Sequence, residues 1–198
     1  KGLHKNIPYI IGTTAHEYGA ERYQKPQSSQ DFLVSYKSKF GDRIDDFLEI
    51  IGFKDDPNRA ILQGGLNDMI QPGVLAWCEH ELILKDRAPT WLYYFTRELP
   101  GEMPAGAYHS AELWYVFQTV HRCYRPLCGI DFDLSIAMNK MWANFVKNGN
   151  PNSKDLPYWE TYSTTSRSGM EFGDRLGMIA YPGSARSRFI ANITLEQN

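Results

Sequence analysis

Two short apolar runs constrain the fold of this chain more than any other feature of its sequence. Residues 7–12, "IPYIIG", and residues 90–96, "TWLYYFT", are rich in β-branched and aromatic side chains and are too short for amphipathic helices. Segments with helical periodicity separate them. This alternation is typical of an α/β fold, in which functional groups lie in the loops that follow the strands. We therefore predict an α/β protein, and we expect the run at 7–12 to be a strand buried on both faces.

Helical segments have recognisable start and stop signals. Ser28 and Asp31 resemble a capping box, and apolar side chains at helical spacing follow until Gly41. The longest helix is predicted over 133–148 and ends at Gly149, with an apolar stripe that we assign to the core rather than to a cofactor site. Further helices are predicted over 44–51 and after residue 58, with a break at Pro72-Gly73 and a resumption over 74–85.

The sequence contains fewer strands than its helices require. "LPYWETY" and "GMEF" are short aromatic pieces between polar turns, and the tail after them has no strong periodicity. A two-stranded sheet is a poor core for so many amphipathic helices. We therefore expect other strands of the sheet to belong to sequence outside this chain.

Composition and charge exclude several classes of function. With 198 residues and 42% hydrophobic side chains, the chain suits one globular domain. The formal net charge is −2 and no basic stripe occurs, which argues against nucleic acid as a partner. The apolar runs are too short to span a membrane, and the first twelve residues lack the apolar core of a signal peptide. The compartment is not determined by these features.

The three cysteines give no sign of a disulfide framework or a metal site. Cys78, Cys123 and Cys128 cannot all pair within the chain. Cys123 and Cys128 could form a bridge or supply two metal ligands, but a zinc site needs about four ligands and no second pair or HExxH motif occurs. We favour free thiols and expect neither a metal nor a cofactor.

Two residues behind the predicted strands suit acid–base chemistry. Glu17 lies in the loop after the first strand, and His109 lies in the small-residue loop of "GAYHSAELWYVF" after the second. A serine hydrolase needs a nucleophile, a neutral imidazole and a carboxylate that orients the imidazole, and in α/β-hydrolases they follow one another in that order: nucleophile, acid, histidine. Glu17 before His109 respects this order. No G-x-S-x-G elbow occurs in the chain, so the nucleophile would precede Glu17.

Each of these residues also has an ordinary structural interpretation. Glu17 could be a solvated loop residue, and His109 could only hydrogen-bond the backbone ahead of a helix. His16 is the main rival of His109, although neighbours in sequence such as His16 and Glu17 seldom face each other across a site. Glu112 is expected to support the first turn of its helix, and His80 is expected at the surface.

Three segments resemble, in the same order, parts of the type-B carboxylesterases, the family that also contains the cholinesterases. They are "IPYIIGTTAHEYGA", "GAYHSAELWYVF" and "MWANFVKNGNPN…LPYWETY". The ending "W-x-N-F-x-K-x-G-x-P-N" is the most specific piece, and "HRCYRPL" followed by an aspartate resembles the bacterial members. The chain departs from the family at one loop, where the family usually has aspartate before its acid and glycine after it but this chain has His16 and Tyr18.

The resemblance implies that residues 1–198 are the C-terminal portion of a single α/β-hydrolase domain. It implies hydrolysis of a small-molecule carboxylic ester through an acyl-enzyme, with Glu17 as the triad acid and His109 as the triad histidine. The serine and the oxyanion loop would lie in an N-terminal half, which becomes the partner of this chain. Alone, the chain is expected to be inactive.

Two rival functions remain open at this stage. The protein could be a catalytically silent relative that acts as a binding or adhesion module, or the chain could be an isolated fragment that binds an unknown ligand. Retention of both Glu17 and His109 favours the enzyme. A serine elbow upstream would distinguish it from the silent relative.

Overall fold

The computed structural model describes residues 4–17, 27–84, 86–102, 105–180 and 182–197. The chain divides into two compact units, which are described separately below. The first comprises Lys1–His16 and Cys78–Pro182, and the second comprises Glu17–Trp77 and Gly183–Asn198.

The first unit contains a four-stranded sheet in the order β1-β2-β3-β4. Its strands are β1 (Tyr9–Thr14), β2 (Thr90–Phe95), β3 (Ser168–Phe172) and β4 (Leu176–Ala180). β1 pairs with β2 and β2 with β3 in parallel, whereas β3 and β4 form an antiparallel hairpin. The two parallel pairs place the loops after β1 and β2 at the same edge of the sheet, as predicted for an α/β fold.

Helices account for most of the remaining regular structure of the described residues. The α-helices are α1 (Ser29–Phe40), α2 (Ile44–Ile50), α3 (Pro57–Leu62), α4 (Ile70–Ile83), α5 (Leu113–Val116), α6 (Gly129–Asn148) and α7 (Ala185–Glu196). Short 3₁₀ turns lie at Gly41–Arg43, Gly65–Asp68 and Val120–Arg122. None of the helices in the described part of the chain is long and apolar enough to cross a lipid bilayer.

Several sequence predictions are confirmed at the level of single elements. The Ser28 hydroxyl accepts the backbone N–H of Asp31 and caps α1, which ends at Gly41. α2 lies within the predicted segment 44–51. α6 contains the predicted 133–148 but begins four residues earlier, because the Asp131 carboxylate accepts the backbone N–H of Cys128 and caps an additional turn.

The predicted break at Pro72-Gly73 is wrong. Both residues lie inside α4, which starts at Ile70. Proline is tolerated in the first turn of a helix, since the N–H it lacks would have no partner there. The interruption lies instead between α3 and α4, around the 3₁₀ turn Gly65–Asp68.

The two strands that periodicity missed are β3 and β4, and a helix, α7, follows them. Met170 and Phe172 of β3 are fully buried and belong to the core of the first unit. Their pattern is short and is interrupted by glycines, which weaken local strand signals. The aromatic piece "WETY" is not a strand: the backbone N–H of Trp159 donates to the Asn152 side chain, and its indole N–H donates to the backbone carbonyl of Leu92 at 3.0 Å.

The strand β1 is less buried than its sequence predicted. Residues 9–12 are half-buried and only Thr13 and Thr14 are buried, because β1 lies at the edge of the described sheet. Gly12 contacts β2 closely: a methyl group there would lie 2.3 Å from the carbonyl oxygen of Tyr93. Gly12 therefore lets β1 and β2 approach this closely because it has no Cβ atom.

The second unit has its own aromatic core and a buried ion pair. Phe32, Phe40 and Phe47 are buried together with Phe189 of α7. Arg186 of α7 donates to both carboxylate oxygens of Asp68 at 2.5 Å. Asp68 also accepts the Tyr36 hydroxyl, and burial followed by the Asp68 charge raises the pKa of Tyr36.

Candidate active site

Glu17 follows β1 and is a buried carboxylate. Its side chain is 3% exposed, which is the opposite of the solvated loop residue that a lone glutamate usually is. Within the second unit, its backbone N–H donates to Asn67 Oδ1 at 2.8 Å, and Asn67 Nδ2 donates to Gln63 O at 3.1 Å. Burying a charged carboxylate is costly, so the position suits a group that needs a charged partner.

His109 lies in a tight loop that ends just before α5. Two residues of this loop have positive φ angles, Gly106 at 63° and Ser110 at 69°. The loop is closed by backbone hydrogen bonds from Ala111 N to Tyr108 O and from Leu99 N to Gly106 O. The histidine is therefore presented on a short, sharply folded segment rather than on a helix.

His16 connects the end of β1 to the loop of His109. Its backbone N–H donates to Ala107 O at 3.0 Å, and its imidazole Nδ1 accepts the backbone N–H of Ala107, also at 3.0 Å. His16 and Tyr108 are parallel bridge partners. His109 directly follows Tyr108, so the candidate base lies one position beyond this bridge.

The hydrogen bond from Ala107 occupies Nδ1 of the His16 ring. A neutral imidazole that accepts at Nδ1 has its hydrogen on Nε2, and it has no lone pair left to take a proton. His16 thus lacks the free nitrogen that a general base needs. We therefore keep His109, rather than His16, as the candidate base.

Glu112 lies at the N-cap of α5 but does not cap it. No side-chain capping bond is formed, and Glu112 Oε1 lies 3.5 Å from the hydroxyl oxygen of Tyr93 on β2. The carboxylate thus contacts the sheet, and the predicted support of the first turn through the helix dipole or a local salt bridge stays a prediction. His80 on α4 is half-buried rather than exposed.

A buried network of hydrogen-bonded polar side chains, which the sequence did not predict, links the segment after β2 to α5 and α6. Arg97, two residues beyond β2, donates to Asp131 of α6 at 2.7 and 3.1 Å. The fully buried Tyr115 of α5 donates to the same carboxylate at 2.8 Å. Burial alone favours a neutral acid, but these donors and the Cys128 N–H outweigh it and hold the pKa of Asp131 below its usual range. The network ties the connection after β2 to both helices.

The described residues contain no cluster of potential metal ligands. Cys78, Cys123 and Cys128 are free thiols, and burial raises the pKa of Cys78 to about 12. A thiol with so high a pKa is protonated at neutral pH and is a poor nucleophile.

The family's specific helix ending has a structural explanation in this chain. Gly149 ends α6 with a left-handed φ of 69°, and Asn144 Nδ2 donates to Pro151 O at 3.2 Å. The Trp142 ring packs against Tyr93 of β2 and Phe172 of β3. The motif thus fixes the helix end and docks the helix on the sheet.

Comparison with known proteins is consistent with this architecture. Human bile salt-activated lipase is 33% identical over 135 residues, which are 63% of this chain and 17% of the lipase. Human cocaine esterase is 28% identical over 183 residues, covering 79% of this chain and 32% of that protein. The chain thus spans at most about a third of the length of these two relatives.

A solved structure establishes the fold. A Geobacillus stearothermophilus carboxylesterase matches 93% of this chain and 40% of its own length, with a TM-score of 0.69 and 20% identity. The sheet and helices described above are therefore part of an α/β-hydrolase fold, as the resemblance implied. The profile of the carboxylesterase family matches residues 67–189, more than half of the 198 residues. This chain belongs to the carboxylesterase family.

Proposed function

We propose that the protein containing this chain hydrolyses carboxylic esters with a Ser-His-Glu triad, and that this chain supplies Glu17 and His109. Residues 1–198 would then be the C-terminal part of one α/β-hydrolase domain, whose N-terminal part carries the serine. The observation that carries the proposal is the placement of His109 in a tight loop bridged to the end of β1, within the segment that the family profile matches.

In the proposed mechanism, His109 transfers protons in both half-reactions and Glu17 supports its ring. His109 takes the proton of the serine hydroxyl as the oxygen attacks the ester carbonyl, and the resulting imidazolium returns a proton to the departing alcohol. Water then attacks the acyl-enzyme, again losing its proton to His109, and the carboxylic acid leaves as the serine is regenerated. The Glu17 carboxylate orients the ring and stabilises its positive charge.

The support for Glu17 is different in kind from the support for His109. Glu17 lies outside the matched segment 67–189, so its assignment rests on the resemblance of its own loop, on chain order and on burial. The departures from the family pattern at His16 and Tyr18 flank Glu17 in sequence, whereas none is noted beside His109. Separate variants are therefore needed for the two residues.

The decisive experiment replaces His109 in the full-length protein. We expect His109→Ala to lower kcat for a p-nitrophenyl ester by about 10³-fold or more, with little change in KM, because the base acts mainly in the transition state. The exposed His121 provides a matched control, and His121→Ala should retain full activity. Unimpaired turnover by His109→Ala would refute the proposal.

A further inference from the structure

His16 is one of the two residues at which this chain departs from the family pattern, and it makes a pair of contacts to a single distant residue. Its main-chain N–H and its imidazole Nδ1 both bind the single residue Ala107, one as donor and the other as acceptor, each at 3.0 Å. The two bonds cross a sequence separation of 91 residues. The backbone N–H and the backbone carbonyl of Ala107 are thereby both hydrogen-bonded to His16.

We propose that His16 is a positioning residue that holds the loop of His109 in its working conformation through the Nδ1 acceptor. This inference rests on the proposed function and deepens it. His16 does not touch the reacting atoms in this assignment. It acts on catalysis through Ala107, two residues before His109.

The shape of the loop explains why it needs an external restraint. Ser110, next to His109, has a φ of 69°, a left-handed conformation that is unfavourable for a non-glycine residue. Such strain persists only where surrounding contacts over-determine the backbone. The paired hydrogen bonds at Ala107 supply such contacts on the N-terminal side of His109.

Gly106 makes room for the restraint. Its φ is 63°, and a methyl group at this position would lie 2.6 Å from His16 Nδ1. This distance is well inside van der Waals contact, so a side chain here would displace the imidazole. Gly106 and His16 therefore form one steric and hydrogen-bonding unit.

Chemistry also accounts for the residue type at position 16. The acceptor must lie two bonds beyond Cβ, a position that the Nδ1 of histidine and the Oδ1 of asparagine share. A neutral imidazole supplies this acceptor at Nδ1, and the amide of asparagine would supply it at Oδ1. His16→Asn should therefore preserve the restraint, and His16→Leu should remove it at similar bulk.

The first test measures the loop independently of catalysis. In the full-length protein, we expect His16→Leu to raise hydrogen exchange across residues 105–111 by at least tenfold, while His16→Asn remains close to wild type. Gly106→Ala should reproduce the effect of His16→Leu, and the double variant should add little to either single change. Unchanged exchange in His16→Leu would overturn the inference.

The second test measures turnover of a p-nitrophenyl ester. We expect His16→Leu to lower kcat by roughly 10- to 100-fold with KM nearly unchanged, and His16→Asn to restore kcat to within about threefold of wild type. Equal losses of kcat in His16→Leu and His16→Asn would overturn a role for the Nδ1 acceptor of His16. If wild type hydrolyses the ester but His16→Leu leaves the hydrogen exchange of the loop unchanged, this inference alone is refuted. If wild type does not hydrolyse the ester although its loop is protected from exchange, the proposed function is refuted.

Discussion

A carboxylate that is 3% exposed has lost most of its hydration, and this is the situation of Glu17 at the end of β1. Its place after a strand was predicted from the sequence, but a lone glutamate in a polar loop is usually solvated, and Glu17 is buried. Burial depends on which distant residues cover a side chain, so no local pattern could distinguish the two. The position of Glu17 was predictable, and its environment was not.

We expect Glu17→Gln to lower kcat by about 10³-fold or more in the full-length protein. The amide is isosteric but neutral, so it cannot stabilise the positive charge that His109 acquires. Glu102 is exposed, and Glu102→Gln is the matched control that should leave turnover unchanged. Steady-state kinetics on a p-nitrophenyl ester would measure both, and a fully active Glu17→Gln would remove Glu17 from the triad.

Asp131 provides a prediction for the pH dependence of stability. Its pKa is lowered in the folded protein, so its contribution is fully present above the unfolded pKa of about 3.9 and is lost as pH falls through the folded pKa. We expect Asp131→Asn to cost about 2 kcal/mol at pH 7. The difference from wild type should shrink as the pH falls below about 4.

Urea unfolding at several pH values would measure this effect. Asp174 is the matched control, because it also binds Arg97 but its side chain is 79% exposed. Asp174→Asn should cost less than about 1 kcal/mol at any pH. A pH-independent loss in Asp131→Asn would show that packing, rather than charge, is what the carboxylate contributes.

At the scale of elements, local signals located β1, β2, α1 and α6 but missed others. Capping at Ser28 and the stop at Gly149 act over a few residues and can be recognised in the sequence. The hairpin of β3 and β4 depends instead on pairing with β2 and on burial in the core, contacts between residues far apart in the chain. Tertiary context therefore decided these strands.

The pairing of β1 with β2 predicts unequal effects for two strand glycines. Gly12→Ala places a methyl group 2.3 Å from the Tyr93 carbonyl oxygen and should destabilise the protein by about 1–3 kcal/mol, since the strands must separate. Gly177→Ala in β4 is the matched control, because nothing lies within 4 Å of the added methyl group. Thermal and urea unfolding would compare the two variants, and equal stability in both would contradict this packing argument.

At the scale of the whole molecule, the chain contains the candidate histidine, His109, and the candidate acid, Glu17, but no G-x-S-x-G serine elbow. Large apolar side chains are also exposed in it, among them Ile83 at 73% and Val146 at 81%. Its matched relatives are about three times as long or longer. These facts agree with the proposal that the chain functions together with an N-terminal part.

A serine-directed fluorophosphonate tests that proposal. We expect the reagent to label the full-length protein at one serine upstream of Glu17 within a G-x-S-x-G peptide, and to leave the isolated 198-residue chain unlabelled. Intact-mass and peptide spectra would identify the site, with His109→Ala as a control that should slow labelling. A full-length protein without a reactive serine would favour the silent binding module.

The sequence by itself determined the alternation of strands and helices, the cap of α1, the end of α6 at Gly149, and the positions of Glu17 and His109 after two strands. These features follow from periodicity, capping and chain order, which act between near neighbours. Only the tertiary structure decided that Glu17 is buried, that β3 and β4 complete the described sheet, and that His16 binds Ala107 across 91 residues. Such contacts depend on which distant segments meet, and this is settled only when the whole chain packs.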